Sequence, residues 1–217
     1  MLEGISKMAK RRIKVSRAGI AIALSALEGF SKPKVSAEQY MTEPDIAATI
    51  LWDAYMKGDI SGKRVADLGS GTGVLGIGAI LLGAAKVFLI EQDKEAMEIA
   101  KENLGNIESE SSAEFVLGDV KEFSSKVDTV IMNPPFGTKS EHSDKRFLEN
   151  AFDIGNVVYS LHKTETKKFI EAFAKDNKFK ITQVMDFSYP LKATMDFHSK
   201  GVEKINVSCF RFVKDNT

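Results

Sequence analysis

The chain has a single cysteine, Cys209, so neither an internal disulfide framework nor a cysteine-based zinc cluster can form within it. Its histidines, His142, His162 and His198, lie far apart, and neither H-E-x-x-H nor C-x-x-C occurs, so no metal is expected. No apolar run approaches the roughly 18 residues of a membrane span. Ala18–Leu27 is apolar and follows basic residues, but Ser25, Glu28 and the lack of a small-x-small cleavage site argue against a signal peptide. An excess of charge of one sign is missing too. Lys+Arg and Asp+Glu both total 30, so global charge neither favours nor disfavours a polyanionic partner. These absences point to a reducing compartment, cytoplasmic or nuclear, and away from disulfide-stapled and membrane-spanning classes.

What is present is ordinary in amount and uneven in placement. The 43% hydrophobic and 28% charged residues suffice for one domain with a sizeable core. Lys7, Lys10, Arg11, Arg12, Lys14 and Arg17 crowd the N-terminus, with only Glu3 opposing them. Two readings fit this arm: a phosphate-neutralising segment or a solvated terminus. Residues 1–42 are expected to form a basic extension, with the domain proper over 43–217. Within the extension, 16–28 suits a helix and Phe30–Val35 a proline-punctuated linker. Thr42, ahead of Glu43 and Pro44, reads as the N-cap of a helix of about 15 residues.

An alternation then begins. Strands are expected at Arg64–Leu68, Lys86–Ile90, Ala113–Leu117, Val127–Met132 and Val157–Leu161. Helices are expected at Val74–Leu82, Lys94–Leu104, Ser143–Asp153 and Thr164–Asp176. Lys178–Asp186 and Val202–Val213 read as a closing antiparallel pair. The pattern predicts an α/β fold: a Rossmann-like, seven-stranded, mainly parallel sheet with helices on both faces.

The first strand runs into Asp67-Leu68-Gly69-Ser70-Gly71-Thr72-Gly73 and then a helix. Glycines there permit a tight turn and close approach of backbone to a ligand. Gly71–Gly76 also matches the dinucleotide fingerprint G-x-G-x-x-G, and Glu91 stands where a ribose-binding acid belongs, so an NAD-dependent oxidoreductase competes at this point. Asp67 weighs against it. A carboxylate beside the loop favours the ammonium and sulfonium charges of S-adenosyl-L-methionine and repels a pyrophosphate. Gly118-Asp119-Val120 ends the third strand beside the same crevice, where an acid can accept an adenine amino group. An ordinary capping aspartate explains it equally well.

Asn133-Pro134-Pro135-Phe136 follows the fourth strand. Two prolines make a rigid turn. An exocyclic amino nitrogen is a poor nucleophile because its lone pair is delocalised into the ring. Two fixed acceptors, the Asn133 side-chain oxygen and the Pro134 carbonyl, would orient its hydrogens and aim the lone pair at a methyl group. Phe136 would offer a face to an extruded base.

The string Val130–Lys139 resembles the methyltransferase-like-five family of ribosomal RNA adenine-N6 methyltransferases and their archaeal relatives. Glu38–Pro44, Val158–Lys163, and Phe197-His198 with Lys200 resemble further blocks of that family, so the likeness covers roughly residues 27–213. It implies that Glu38–Pro44 is a ligand gate at the end of the N-terminal extension, and that Gln39 and Thr42 touch the cofactor from it. Gly69, Gly71, Thr72 and Val74 would line its methionine end beside Asp67. Glu91 would hold the ribose hydroxyls, Asp119 and the Val120 amide would read the adenine, and Asn133 would touch cofactor and base. The sequence departs from the family in having Glu91 where relatives carry aspartate, and in its longer basic extension. The expected activity is methylation of adenine N6 in RNA, with guanine-N2 RNA and protein glutamine methylation as alternatives. Lys139, His162, Lys163, His198 and Lys200 are candidate grips for RNA phosphates. The edge strand Ala113–Leu117, carrying Phe115, Val116 and Leu117, needs cover. The resemblance implies a small zinc-binding methyltransferase-activator protein added there as a strand.

Overall fold

The structure, a computed structural model, describes residues 15–31, 33, 39, 41–107, 112–136, 143–191 and 203–215. The chain runs α1 (Arg17–Ser25), α2 (Pro44–Met56), β1 (Arg64–Leu68), α3 (Val74–Leu81), β2 (Lys86–Glu91), α4 (Lys94–Gly105), β3 (Ser112–Leu117), β4 (Val127–Met132), α5 (Ser143–Ile154), β5 (Gly155–Lys163), α6 (Lys167–Asp176), β6 (Phe179–Leu191) and β7 (Glu203–Lys214). Single 3-10 turns lie at Val120–Glu122 and Thr164–Thr166. The second takes the first turn of the helix expected from Thr164.

The sheet order is β3-β2-β1-β4-β5-β7-β6. β1 to β5 are parallel; β7 is antiparallel to both β5 and β6. This is the fold class read from the alternation. The closing hairpin is longer than expected. β5 stops pairing at Lys163↔Val207, whereas β6 and β7 continue to Leu191↔Glu203.

Two apolar layers flank the sheet. Ile20, Leu24, Leu51, Leu75 and Ile80 pack α1, α2 and α3 against one face. Leu148, Phe152, Ile170 and Ala174 pack α5 and α6 against the other. Central strands buried on both sides read as continuous apolar runs, which is why β1, β2 and β4 were legible. Ile20 and Leu24 are fully buried, so the helix inside the N-terminal extension is packed into the domain.

Caps fix where the helices begin. The Ser16 hydroxyl accepts from the Gly19 amide at 3.1 Å ahead of α1. For α2 the expected cap is corrected by one residue. Glu43 is the N-cap and its carboxylate accepts from the Ile46 amide at 3.2 Å. Thr42 is buried instead and bonds elsewhere, as described below. Among the described residues, no helix is long and apolar enough to cross a membrane.

Candidate active site

The carboxyl ends of β1, β2 and β4, with the segments after β3 and before α2, enclose a cavity of about 390 Å³. All of the expected cofactor residues line it: Gln39, Thr42, Asp67, Gly69, Gly71, Thr72, Val74, Glu91, Asp119, Val120 and Asn133.

The loop after β1 needs its glycines. Gly69, Gly71 and Gly73 have φ of 70°, 53° and 90°, the left-handed region that other residues avoid. Aromatic rings close the remaining space. A Cβ on Gly69 would stand 2.9 Å from the Phe147 ring, and one on Gly71 would stand 2.9 Å from Phe30. Carboxylates brace the loop from below. Glu91 accepts from the Gly71 amide through Oε2 and from the Asp93 amide through Oε1, both at 2.8 Å. Asp67 Oδ2 accepts from the Gly76 amide at 2.7 Å. Burial pushes the Asp67 carboxyl up to about 7, against the pull of the Gly76 N–H and with added repulsion from Glu91.

The wall ahead of α2 is tied down by Gln39 and by Asn103, the second of which local sequence did not single out. Asn103, buried on α4, donates through Nδ2 to the carbonyls of Thr72 and Glu28, both at 3.0 Å. Its Oδ1 accepts from the Glu28 amide at 2.8 Å. One carboxamide thus joins the glycine loop to the segment that carries Phe30. Gln39 Nε2 donates to Asp93 Oδ2 at 2.8 Å.

At the end of β4, Asn133 Nδ2 donates to Thr42 Oγ1 at 3.1 Å, the bond for which Thr42 is turned inward. Among the described residues, Asn133 Oδ1 is buried with no hydrogen-bond partner, as are Ser70 Oγ and Thr72 Oγ1, which line the same cavity. A buried polar atom without a partner costs about 1–3 kcal/mol, a cost that a ligand in the cavity would offset at these three. Pro134 is buried, Pro135 lines the cavity, and Phe136 is half-buried against the core. Asp119 is exposed and caps the following 3-10 turn, accepting from the Lys121 amide at 2.9 Å; Val120 is buried.

The expected phosphate grips fare differently. Lys163 is half-buried and 3.6 Å from Glu165. The structure places His162 in the interior, 2% exposed, with Nε2 2.7 Å from Ser160 Oγ. Burial pushes its imidazole down to about 3, so it is neutral and unavailable as a surface cation, which corrects that reading. Lys139, His198 and Lys200 lie outside the described residues. Phe30, Met41, Arg146 and Phe147 line the cavity without having been expected there. Nothing in the α5 pattern separates crevice residues from solvent residues, and only the packing does so.

A dinucleotide fold has the order 3-2-1-4-5-6. Here an antiparallel β7 stands between β5 and β6, and an aspartate–glycine loop faces an N-P-P-F turn across one cavity. Fold and site together define a class I methyltransferase.

Residues 36–154 match the methyltransferase small domain family. The rRNA N(6)-adenosine-methyltransferase METTL5 of Danio rerio is 40% identical over 196 residues, 87% of this chain and 94% of the relative. The corresponding Drosophila melanogaster enzyme is 38% identical over 87% of this chain and 92% of its own length. The crystal structure of a candidate RNA methyltransferase from Pyrococcus horikoshii superposes with a TM-score of 0.85 at 46% identity, covering 93% of this chain and 97% of that one. The chain belongs to the methyltransferase-like-five family of rRNA adenine-N6 methyltransferases.

Proposed function

We propose that this protein transfers a methyl group from S-adenosyl-L-methionine to the exocyclic N6 of an adenine in ribosomal RNA. The observation that carries the reading is Asn133 Oδ1, a buried acceptor without a partner at the mouth of β4. Its carboxamide is held by Thr42, so its direction is set before a base arrives. Asn133 Oδ1 and the Pro134 carbonyl accept the two amino hydrogens, hold the nitrogen with its lone pair toward the cavity, and disfavour delocalisation into the ring. Phe136 takes one face of the extruded base.

The cavity fits the cofactor. Asp67 offers a carboxylate to its ammonium, Glu91 keeps lone pairs for ribose hydroxyls, and Asp119 with the Val120 amide reads its adenine. Gln39, Thr42, Gly69, Gly71, Thr72 and Val74 complete the walls, and the orphaned hydroxyls of Ser70 and Thr72 gain partners. When bound, the cofactor supplies an electrophilic methyl group on a sulfonium. Lys163 offers a cation to RNA phosphates, and Lys139, His198 and Lys200 are candidates for the same role from the sequence. Residues 1–42 supply a basic arm and a gate to the catalytic domain of 43–217, with α1 between them packed into that domain. The apolar edge β3 takes a small zinc-binding methyltransferase-activator protein as an added strand. A reducing compartment, the cytoplasm by preference, suits a chain whose one cysteine, Cys209, is free and buried.

The test is nucleoside mass spectrometry of rRNA incubated with enzyme and S-adenosyl-L-methionine. N6-methyladenosine is expected; N2-methylguanosine in its place would overturn the assignment. Asn133→Ala should keep the fold and lose about 100- to 1,000-fold in kcat, the loss typical of one preorganised polar group. Near-normal turnover in that variant would remove Asn133 from the mechanism.

A further inference from the structure

The topology brings two helix starts to the crevice side of the sheet. β4 and β5 are parallel, with Met132 level with Ser160. The chain therefore leaves β5 at Lys163 beside the Asn133 turn, and α6 begins there. α5 descends from the same end, since it delivers the chain to Gly155 opposite Val127 at the start of β4. The first turns of α5 and α6 thus form a shoulder next to the site.

Three cations stand on it. Arg146 lines the crevice and is exposed; Lys167 and Lys168 are exposed on the first turn of α6. None of their side chains has a hydrogen bond or ion pair among the described residues. Their neighbours Lys145 and Lys163 are 3.6 Å from Glu149 and Glu165, which leaves those two acids matched. An aromatic ring follows the two lysines directly in α6. Phe169 is 43% exposed and stacks on Phe173 with centroids 5.8 Å apart. Phe173 stacks on the buried Phe152 at 5.9 Å, and Lys145 Nζ lies 6.0 Å from the Phe173 centroid. The ladder Phe152–Phe173–Phe169 climbs from the core and leaves its last ring at the surface, held by stacking.

We propose that this shoulder carries the RNA strand flanking the target adenine, with a base stacked on Phe169 and phosphates on Arg146, Lys167 and Lys168. An aromatic face near cations that have no partner among the described residues is the combination that single-stranded RNA needs, because every base has a π-face and every linkage a charge. The surface extends the site on the α5–α6 side, away from β3, so RNA and a partner on that edge do not compete. This inference rests on the RNA reading above and adds the path of the strand.

The test uses the full chain with protein-free total rRNA, measuring methyl transfer and direct RNA binding as salt is varied. Lys167→Gln/Lys168→Gln and, separately, Arg146→Gln should raise KM for RNA, with the loss falling on KM and not on kcat. Together the three changes should flatten the log–log salt slope by about 2, at roughly 0.7 per phosphate contact. Phe169→Leu keeps an apolar side chain for packing and removes the π-face, and should weaken RNA binding about tenfold, with Phe169→Tyr restoring it. Wild-type protein that methylates rRNA while these variants match it in KM and salt slope overturns the shoulder alone and leaves the surface to a protein partner. Altered binding by the variants with no methyl transfer by the wild type supports the shoulder and overturns the proposed chemistry. Absence of any RNA binding by the wild type overturns both.

Discussion

Asp67 sits where two requirements meet. It braces the loop through Gly76 and, on the proposed function, faces a cationic ligand, yet it is almost wholly buried. Burial lifts its carboxyl from 3.8 to about 7. Between those values the folded chain holds a proton that the unfolded chain has lost, so this group's contribution to stability falls as pH rises from about 4 to 7. Ligand binding has the opposite preference. An ammonium beside Asp67 favours the carboxylate, so binding below pH 7 expels the proton and affinity rises with pH until about 7. Calorimetry at pH 6 in buffers of different ionisation enthalpy should show close to one proton released per S-adenosyl-L-methionine bound. Affinity there should be roughly tenfold below that at pH 8, since each pH unit below the raised pKa is worth a factor of ten. Asp67→Asn should bind more weakly with no such pH dependence. Binding without proton release at pH 6 would separate Asp67 from the ammonium.

At the scale of elements, β3 is one of the two edge strands of the sheet, and the proposed partner would add to it. Its amides alternate in direction. Gly118 donates to the Glu91 carbonyl at 3.0 Å and Ser112 to that of Ala85 at 3.4 Å. The even-numbered residues of the strand therefore turn their backbone toward β2, and Ala113, Phe115 and Leu117 turn theirs outward. Proline at Val116 would break β2–β3 pairing and say nothing of a partner. Leu117 is 54% exposed, so Leu117→Pro removes an outward donor while leaving the core intact. Co-purification with the activator protein should be lost in Leu117→Pro, with the domain still folded. A complex that survives the change, or a wild-type chain equally stable alone, would count against strand addition.

Across the whole molecule, one buried cluster ties the end of the chain to its beginning. Arg211 on β7 donates to Asp59, between α2 and β1, through Nε at 2.9 Å and Nη2 at 3.2 Å. The Tyr159 hydroxyl on β5 donates to the same carboxylate at 2.7 Å, and Thr129 on β4 donates to the Asp59 carbonyl at 2.6 Å. The phenol is pushed well above its ordinary range, first by burial and then by Asp59. Arg211→Leu strands a buried carboxylate and should cost about 3–5 kcal/mol. For a chain of this size that is a fall in Tm of roughly 10 °C by calorimetry. The double variant Asp59→Asn/Arg211→Leu should recover part of the loss. A single variant within 1 kcal/mol of the wild type would show that the cluster does not hold the sheet together. Because it lies at the sheet end away from the crevice, turnover per folded molecule should be unaffected.

The parallel half of the sheet, the glycine loop and the N-P-P-F turn were legible in the order of residues alone. These rest on local rules: apolar runs where strands are buried on both faces, glycines where φ must be positive, prolines where a turn must be stiff. Which polar side chains face inward depends on how the elements pack. Thr42 carries the composition of a helix cap, but Asn133, far along the chain, draws it into the site. His162 carries the composition of a basic loop, but its strand turns it into the interior beside Phe210, where burial removes its charge. Asn103, Arg146, Phe147 and Phe30 acquire their places from packing between elements remote in sequence. A side chain's environment depends on which elements meet around it, and that pairing is a property of the folded sheet.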